Sequence, residues 1–348
     1  MLDNFINTVW YKNSFLGWLL SPFMVIYLII VFIRQWLYQK KILTIHKIKV
    51  PVIVVGNITV GGTGKTPIVI WLANYLCNHG FKPGIVSRGY GADRNNLGQA
   101  ILVEKNMDAS TVGDEPLLIF LRTCCPVVVS KDRVLAAKEL LANYDCDIII
   151  SDDGLQHYAL GRDLEIVLID GLRYFGNGLC LPSGPLREPR SRLKKADVVL
   201  INGNMLNHNA KSDRWLLNGK VYNTELIPEK FCNVYDNKLI KELIAFQNKT
   251  VHGVAAIGNP KSFFSLLRSL GFNVIEHVFP DHYAFKSNDI IFEDDLLVIM
   301  TEKDAVKCKK LINEALNYKY WFLRVEAQPN VEFINQVNKW LNLERRKT

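Results

Sequence analysis

The stretch 51-PVIVVGNITVGGTGKTPIVIWLANYL-76 decides the fold. An apolar, β-branched run feeds a glycine-dense turn, and a helical pattern follows Pro67. The turn ends in Gly64-Lys65-Thr66, as a phosphate-binding loop does, although Thr59 stands where the strict pattern has its first glycine. Gly61, Gly62 and Gly64 permit positive φ, which turns backbone N–H groups inward as an anion nest. The following helix adds the partial positive charge of its N-terminus. Thr59, Val60, Gly61, Gly62, Thr63 and Gly64 thus form the candidate nucleotide loop. Lys65 is the candidate contact to the β- and γ-phosphates, and the Thr66 hydroxyl a candidate Mg²⁺ ligand. Pro67 lies in the first turn, where a missing N–H costs nothing.

Outward from the loop, the run 13-NSFLGWLLSPFMVIYLIIVFI-33 has no ionisable charge over 21 positions. As a helix it would be about 31 Å long, close to the ~30 Å core of a bilayer. Arg34, Lys40, Lys41, Lys47 and Lys49 follow without an acidic residue among them, while the other flank offers only Asp3 and Lys12. The positive-inside rule places everything from Arg34 onward in the cytoplasm. A cleaved signal peptide is disfavoured, because the run is long and no A-x-A-like site follows. Pro22 interrupts the run, so a spanning helix and a partly inserted one both stay open.

The chain has 348 residues, 49% hydrophobic and 22% charged, with a net charge of +8, a length and composition suited to two folded domains and an anionic partner. Its seven cysteines form no C-x-x-C pair, which argues for reduced thiols and against a zinc site or a disulfide frame. No nucleic-acid recognition motif is present, and much of the basic excess borders the apolar run, so no nucleic-acid partner is expected.

Strands are predicted at 52–55, 84–86, 127–129, 147–151, 165–170 and 197–201, alternating with helical runs at 67–79, 115–123, 131–143 and 191–195. This order predicts an α/β fold, a P-loop NTPase-like parallel sheet with ligands at the carboxyl ends of its strands. From Lys220 the texture changes. KVYNTELIPE reads as an extended linker into a second, smaller α/β unit with strands at 251–257, 273–278, 296–301 and 321–325. The expected organisation is an N-terminal membrane-anchoring helix with its basic collar (1–45), a P-loop domain (46–219), a second α/β domain (220–328) and a C-terminal helix (329–348).

Several polar segments fall at predicted strand ends. In SDDGLQH, Asp152 ends an apolar strand, where Mg²⁺ is held in phosphate-loop proteins; a plain Asp-Gly turn is the other reading. In VGDEP, Asp114 and Glu115 precede Pro116, so capping a helix and facing the cleft are both open. LPSGPLREPRSRLKK is the most basic stretch of the soluble part, and VSRGYGA is a second Gly-rich loop bearing Arg88. FPDHYAF joins Asp281 to His282, a pairing that can tune an imidazole for proton transfer. TEKDAVK reads as another site loop or a polar turn.

GGTGKTP, VSRGYG, VGDEP, SDDGLQH, LPSGPLREP, FPDHYAF and TEKDAVK occur here in an order that resembles the tetraacyldisaccharide 4'-kinase family, which builds lipid A at the inner membrane of Gram-negative bacteria. The resemblance implies ATP- and Mg²⁺-dependent phosphoryl transfer to the 4'-hydroxyl of a glycolipid, an acylated glucosamine disaccharide 1-phosphate. It implies that Asp114 and His282 cooperate as base, with Asp281 orienting the imidazole. It further implies that Asp152, Asp153 and Glu188 surround metal and triphosphate, and that Arg187 meets phosphate. Leu155 replaces a phenylalanine common in the family, whereas a non-glycine at Thr59 is tolerated there. A four-chain lipid demands work at the bilayer surface, since each buried CH₂ is worth ~0.8 kcal/mol. The rival reading is a membrane-associated phosphate-loop ATPase acting as a nucleotide switch. Partitioning ATPases of that kind carry a signature lysine where this chain has Val60, and the rival leaves Asp281, His282 and the second domain unused.

Overall fold

A computed structural model describes residues 9–11, 15–90, 98–203 and 220–345. Asp3, Lys12, the first two positions of the apolar run and the last two of VSRGYGA lie outside the described residues. The strands are β1 (Val52–Asn57), β2 (Pro83–Ser87), β3 (Ile101–Leu102), β4 (Val127–Val129), β5 (Ile148–Asp152), β6 (Leu164–Asp170) and β7 (Val198–Asn202). They continue with β8 (Val221–Asn233), β9 (Ile240–Lys241), β10 (Thr250–Ala255), β11 (Asn273–Val278), β12 (Leu297–Thr301) and β13 (Tyr320–Pro329). The helices that matter for the site are α1 (Ser21–Gln39), α2 (Lys65–Asn78), α3 (Asp114–Thr123), α4 (Arg133–Asn143), α5 (Pro260–Ser269), α6 (Glu302–Cys308) and α7 (Val331–Arg345).

All these strands belong to one sheet, ordered β11-β10-β12-β13-β8-β7-β6-β1-β5-β2-β4-β3, with β9 on β8. β1 lies between β5 and β6 in parallel register, Val55 opposite Asp152 and Asn57 opposite Leu168. Its six residues are all buried, as a parallel strand covered on both faces requires. One face packs Ile53 and Val55 on Ile68 and Leu72 of α2; the other packs Val52 and Val54 with Val134 and Leu140 of α4.

One expectation needs correction. KVYNTELIPE is no linker but most of β8, which pairs parallel with β7 at one end and antiparallel with β13 along its length. Its middle residues alternate between half-buried and exposed and include Pro228, so it lacks the apolar signature of a central strand. The register shifts between Arg324 and Val325, opposite Pro228, as a bulge that accommodates a residue without an N–H. The two lobes therefore share a continuous sheet across the expected boundary at 220. The expected C-terminal helix is present as α7, and it folds back onto the first lobe. Phe333, Val337, Trp340 and Leu341 enter the same core as Ile53 and Leu72, and the Tyr75 hydroxyl donates to Asn338 at 2.7 Å.

α1 is divided in its environment. Phe23, Ile26, Ile29, Ile30 and Ile33 are exposed, whereas Met24, Tyr27 and Leu28 pack on the first lobe. Helical spacing separates the two sets onto opposite faces. Pro22 falls in the first turn, not the interior, and so starts α1 after the short helix Phe15–Leu19. Polar contacts complete the docking: Tyr27 donates its hydroxyl to the Arg187 carbonyl at 2.7 Å, and Gln35 donates to Glu188 at 2.7 Å.

Candidate active site

The phosphate loop leaves β1 at Asn57 and re-enters regular structure at Lys65, the first residue of α2. Gly61 and Gly64 adopt φ of +105° and +88°, conformations that favour glycine. Gly62 does not take positive φ, and a Cβ there would meet Gly258 of the second lobe only at 3.9 Å; the close approach depends on Gly258, whose own Cβ would stand 2.5 Å from the Gly62 amide nitrogen. Asn57 donates to Thr63 Oγ1 at 3.2 Å, and Asn202 from the end of β7 donates to the Thr63 carbonyl at 3.3 Å. The arm of the loop pairs with the basic segment: Val60 N–H donates to the Pro185 carbonyl at 2.8 Å, and Arg187 N–H to Ile58 at 2.7 Å.

That pairing delivers Arg187 to Asp153. Its guanidinium lies 3.2 Å from the carboxylate, and Lys65 Nζ lies 3.5 Å from it. Burial works to raise the pKa of Asp153, but Lys65 and Arg187 outweigh it and hold the group well below the usual carboxylate range. Asp152, on the adjoining end of β5, has the opposite environment. Ser87 donates to one oxygen at 2.9 Å, and the other is buried without a partner among the described residues. Burial, helped by the charges of Glu115 and Asp153, pushes Asp152 up to about 7. A cation is what such a carboxylate lacks, so the orphaned Asp152 oxygen fits one ligand of a hard divalent ion, although no cluster of three or more metal-ligating side chains forms among the described residues.

Glu188 is also buried, yet its described partners are donors rather than the other carboxylates. They are Gln35 at 2.7 Å, Gln156 at 3.1 Å, the Tyr158 hydroxyl in a short bond, and Arg192 Nε at 3.8 Å. It therefore ties α1 to the phosphate-loop side of the sheet. Arg192 itself is buried on Glu165, at 2.6 Å, and serves the packing of the basic segment.

Asp114 and His282, 168 residues apart, meet between the lobes. Both Asp114 oxygens lie 3.1 Å from His282 Nδ1, and Asp114 is only 4% exposed. Burial raises the Asp114 pKa, but the bond from His282 and the charges of Lys303 and Lys307 more than reverse it, so the net shift is downward. Asp281, the sequence neighbour, does not orient the ring: its Oδ1 is 3.8 Å from Nε2 and accepts instead from the His282 backbone N–H at 3.0 Å. Adjacent side chains diverge, more so here because His282 has φ of +59°. Tyr90, in the VSRGYGA loop, covers the imidazole with centroids 4.6 Å apart.

The structure thus gathers Lys65, Asp152, Asp153 and Arg187 at the loop, and Asp114, Asp281 and His282 across from it. Asn57, Ser87, Tyr90, Asn202 and Lys303 also reach these groups, and the residue-by-residue reading assigned none of them a role. All but Tyr90 lie within about two residues of a strand's carboxyl end, and that placement is the signal that could have found them.

Comparison with known proteins is consistent along most of the chain. Residues 16–342 match the family model LpxK, tetraacyldisaccharide-1-P 4'-kinase. A tetraacyldisaccharide 4'-kinase of Coxiella burnetii is 51% identical over 308 residues, covering 88% of this chain and 87% of the relative. One from Nitrosococcus oceani is 44% identical over 328 residues, covering 94% and 91%. The crystal structure of the "apo" form of LpxK from Aquifex aeolicus in complex with ATP superposes with a TM-score of 0.75 at 28% identity, covering 94% of this chain and 99% of that one. With a family match of this extent and relatives this similar, the chain belongs to the tetraacyldisaccharide 4'-kinase family.

Proposed function

We propose that this kinase transfers the γ-phosphate of ATP to the 4'-hydroxyl of a tetraacyldisaccharide 1-phosphate, working at the cytoplasmic face of the inner membrane. The observation that carries the reading is the Asp114–His282 pair, held across the cleft from a phosphate loop whose Gly62 touches the same lobe that supplies His282. A nucleotide switch that used water as acceptor would leave that pair without a task.

The loop amides and the N-terminus of α2 receive the phosphates, with Lys65 and Arg187 neutralising their charge as it shifts toward the leaving group. Thr66 and Asp152, with Asp153 next to Asp152 in the chain, are the candidate holders of Mg²⁺, which supplies charge neutralisation of the triphosphate oxygens when bound, whereas Glu188 is engaged by Gln35, Gln156 and Tyr158. The acceptor oxygen attacks the γ-phosphorus in line. Its proton passes to the Asp114–His282 pair while the bond to ADP breaks.

The apolar outer face of α1 is the surface proposed to enter the lipid, with Lys40, Lys41, Lys47 and Lys49 at the headgroups. Because its other face is docked on the loop that carries Arg187 and Glu188, a partly inserted helix accounts for α1 better than a free span.

The direct test uses detergent-solubilised protein, Mg²⁺, γ-labelled ATP and the tetraacylated disaccharide 1-phosphate. Label should enter the lipid and disappear from it in Asp114→Ala. Label released only as free phosphate would overturn the proposal in favour of the ATPase reading.

A further inference from the structure

The segment 301-TEKDAVK-307 ends β12 and opens α6, and it carries Lys303 into the middle of the Asp114–His282 pair. The ammonium lies 2.9 Å from Glu115 Oε1, 3.2 Å from Asp281 Oδ1 and 3.3 Å from His282 Nε2. Asp114 Oδ2 is 3.9 Å away. Burial opposes the charge, but Glu115, Asp114 and Asp281 outweigh it and hold the lysine protonated far above the ordinary range.

An ammonium has donors and no lone pair, so its contact with the ring has a single sense: Nζ donates and Nε2 accepts. A ring that accepts at Nε2 carries its hydrogen on Nδ1, where both oxygens of Asp114 stand at 3.1 Å. This matters because an ionised carboxylate at Nδ1 favours a second proton on the imidazole. A doubly protonated ring has no lone pair with which to take a proton from a hydroxyl. Positive charge at Nε2 opposes that protonation. Lys307 adds to the effect 3.8 Å from Asp114 Oδ2, although Asp304 engages it at 2.8 Å. Glu115 and Asp281 favour protonation of the ring, but both are ion-paired to Lys303 itself, and Tyr90 covers the ring face.

We propose that Lys303 is a positioning residue of the transfer: it keeps His282 as the neutral Nδ1–H imidazole and occupies the donor position at Nε2 that the acceptor hydroxyl takes over. The inference rests on the reading of Asp114 and His282 as the base. When the acceptor binds, its O–H replaces Nζ at Nε2, and Lys303 stays bound to Glu115 and Asp281. The O–H bond then breaks as an N–H bond forms at Nε2. The oxygen bonds to the γ-phosphorus, the bond from that phosphorus to ADP breaks, and Asp114 stabilises the imidazolium.

The test compares Lys303→Met and Lys303→Arg with the parent kinase across the pH range. Lys303→Met removes donor and charge at similar volume. It should lower kcat by about tenfold or more with little change in KM for ATP, and it should move the acid limb of the kcat/KM profile to higher pH. Lys303→Arg keeps both properties and should restore most of the rate with the limb in its original place. A lowered rate with an unmoved limb would reduce Lys303 to a bridge between lobes, and an unchanged rate would remove it from the mechanism. Nitrogen NMR of histidine-labelled parent protein needs no variant: His282 should show an unprotonated Nε2 near neutral pH, and a doubly protonated ring there overturns the proposal. His282→Ala separates the two readings, because a near-normal rate in that variant refutes the base assignment itself, whatever Lys303 does.

Discussion

Gly258, in the connection between β10 and α5, lies so near Gly62 of the phosphate loop that a Cβ at position 258 would stand 2.5 Å from the Gly62 amide nitrogen. The obstacle is backbone, which cannot rotate away as a side chain can. Gly258→Ala should therefore part the lobes and draw His282 back from the loop. Turnover is expected to fall by about tenfold to a hundredfold, because misplacement by about 1 Å costs that much. Steady-state kinetics beside an ATP titration check this; an unaltered kcat would mean that the contact is not part of the working conformation.

Asp152 offers a test that separates binding chemistry from stability. Its buried oxygen, without a partner among the described residues, destabilises the ionised form of the protein free of metal and nucleotide. Asp152→Asn removes that charge at constant size. Melting without metal or nucleotide should stay level or rise, while turnover falls at least about a hundredfold if the carboxylate is what holds the cation. A variant that melts lower and still turns over would assign Asp152 to structure alone.

The outer face of α1 can be changed without touching the core. Ile26 and Ile30 are 57% and 60% exposed. Ile26→Asp with Ile30→Asp should leave the melting temperature unchanged and reduce partition into anionic vesicles by about tenfold or more. Co-sedimentation measures the effect. Undiminished partition would move the membrane contact elsewhere on the molecule.

His157 sets an acid limit on stability. Burial, reinforced by Arg133, pushes it down to about 4, although Asp132 at 3.6 Å pulls the other way. The unfolded chain takes this proton near pH 6.5, the group's ordinary value, whereas the folded chain resists it until about 4. Stability is therefore complete above about pH 6.5 and is lost as the pH falls toward about 4, by roughly 2 kcal/mol once the ring's partial exposure is discounted. His157→Gln should flatten the melting temperature over that window. An equally steep fall in the variant would place the sensitivity in other groups.

The strands around the loop were legible almost to the residue, with 127–129 predicted and Val127–Val129 observed. Their signals are contiguous: apolar β-branched runs bounded by Gly and Asp, and a glycine-lysine-threonine turn whose chemistry is local. The family order of motifs likewise pointed to Asp114 and His282 together. Residue-level reasoning went astray where a signal needed a partner far along the chain. KVYNTELIPE read as a linker, because its pairing with the distant β13 is not visible in the segment itself. Asp281 looked like the partner of His282 by adjacency, yet Asp114 takes the ring.

The amino-acid order alone was enough for the phosphate loop, the parallel strands, the apolar N-terminal run and the set of charged residues at the strand ends. Each depends on periodicity or backbone preference within about ten to twenty residues. The continuous sheet, the return of α7 onto the first lobe, the docking of α1 on the segment bearing Arg187 and Glu188, and the placement of Lys303 on His282 came from packing. Those contacts join segments separated by long stretches of chain. They form where buried area and matched charges together outweigh the entropy of closing large loops, a balance no single stretch of sequence records.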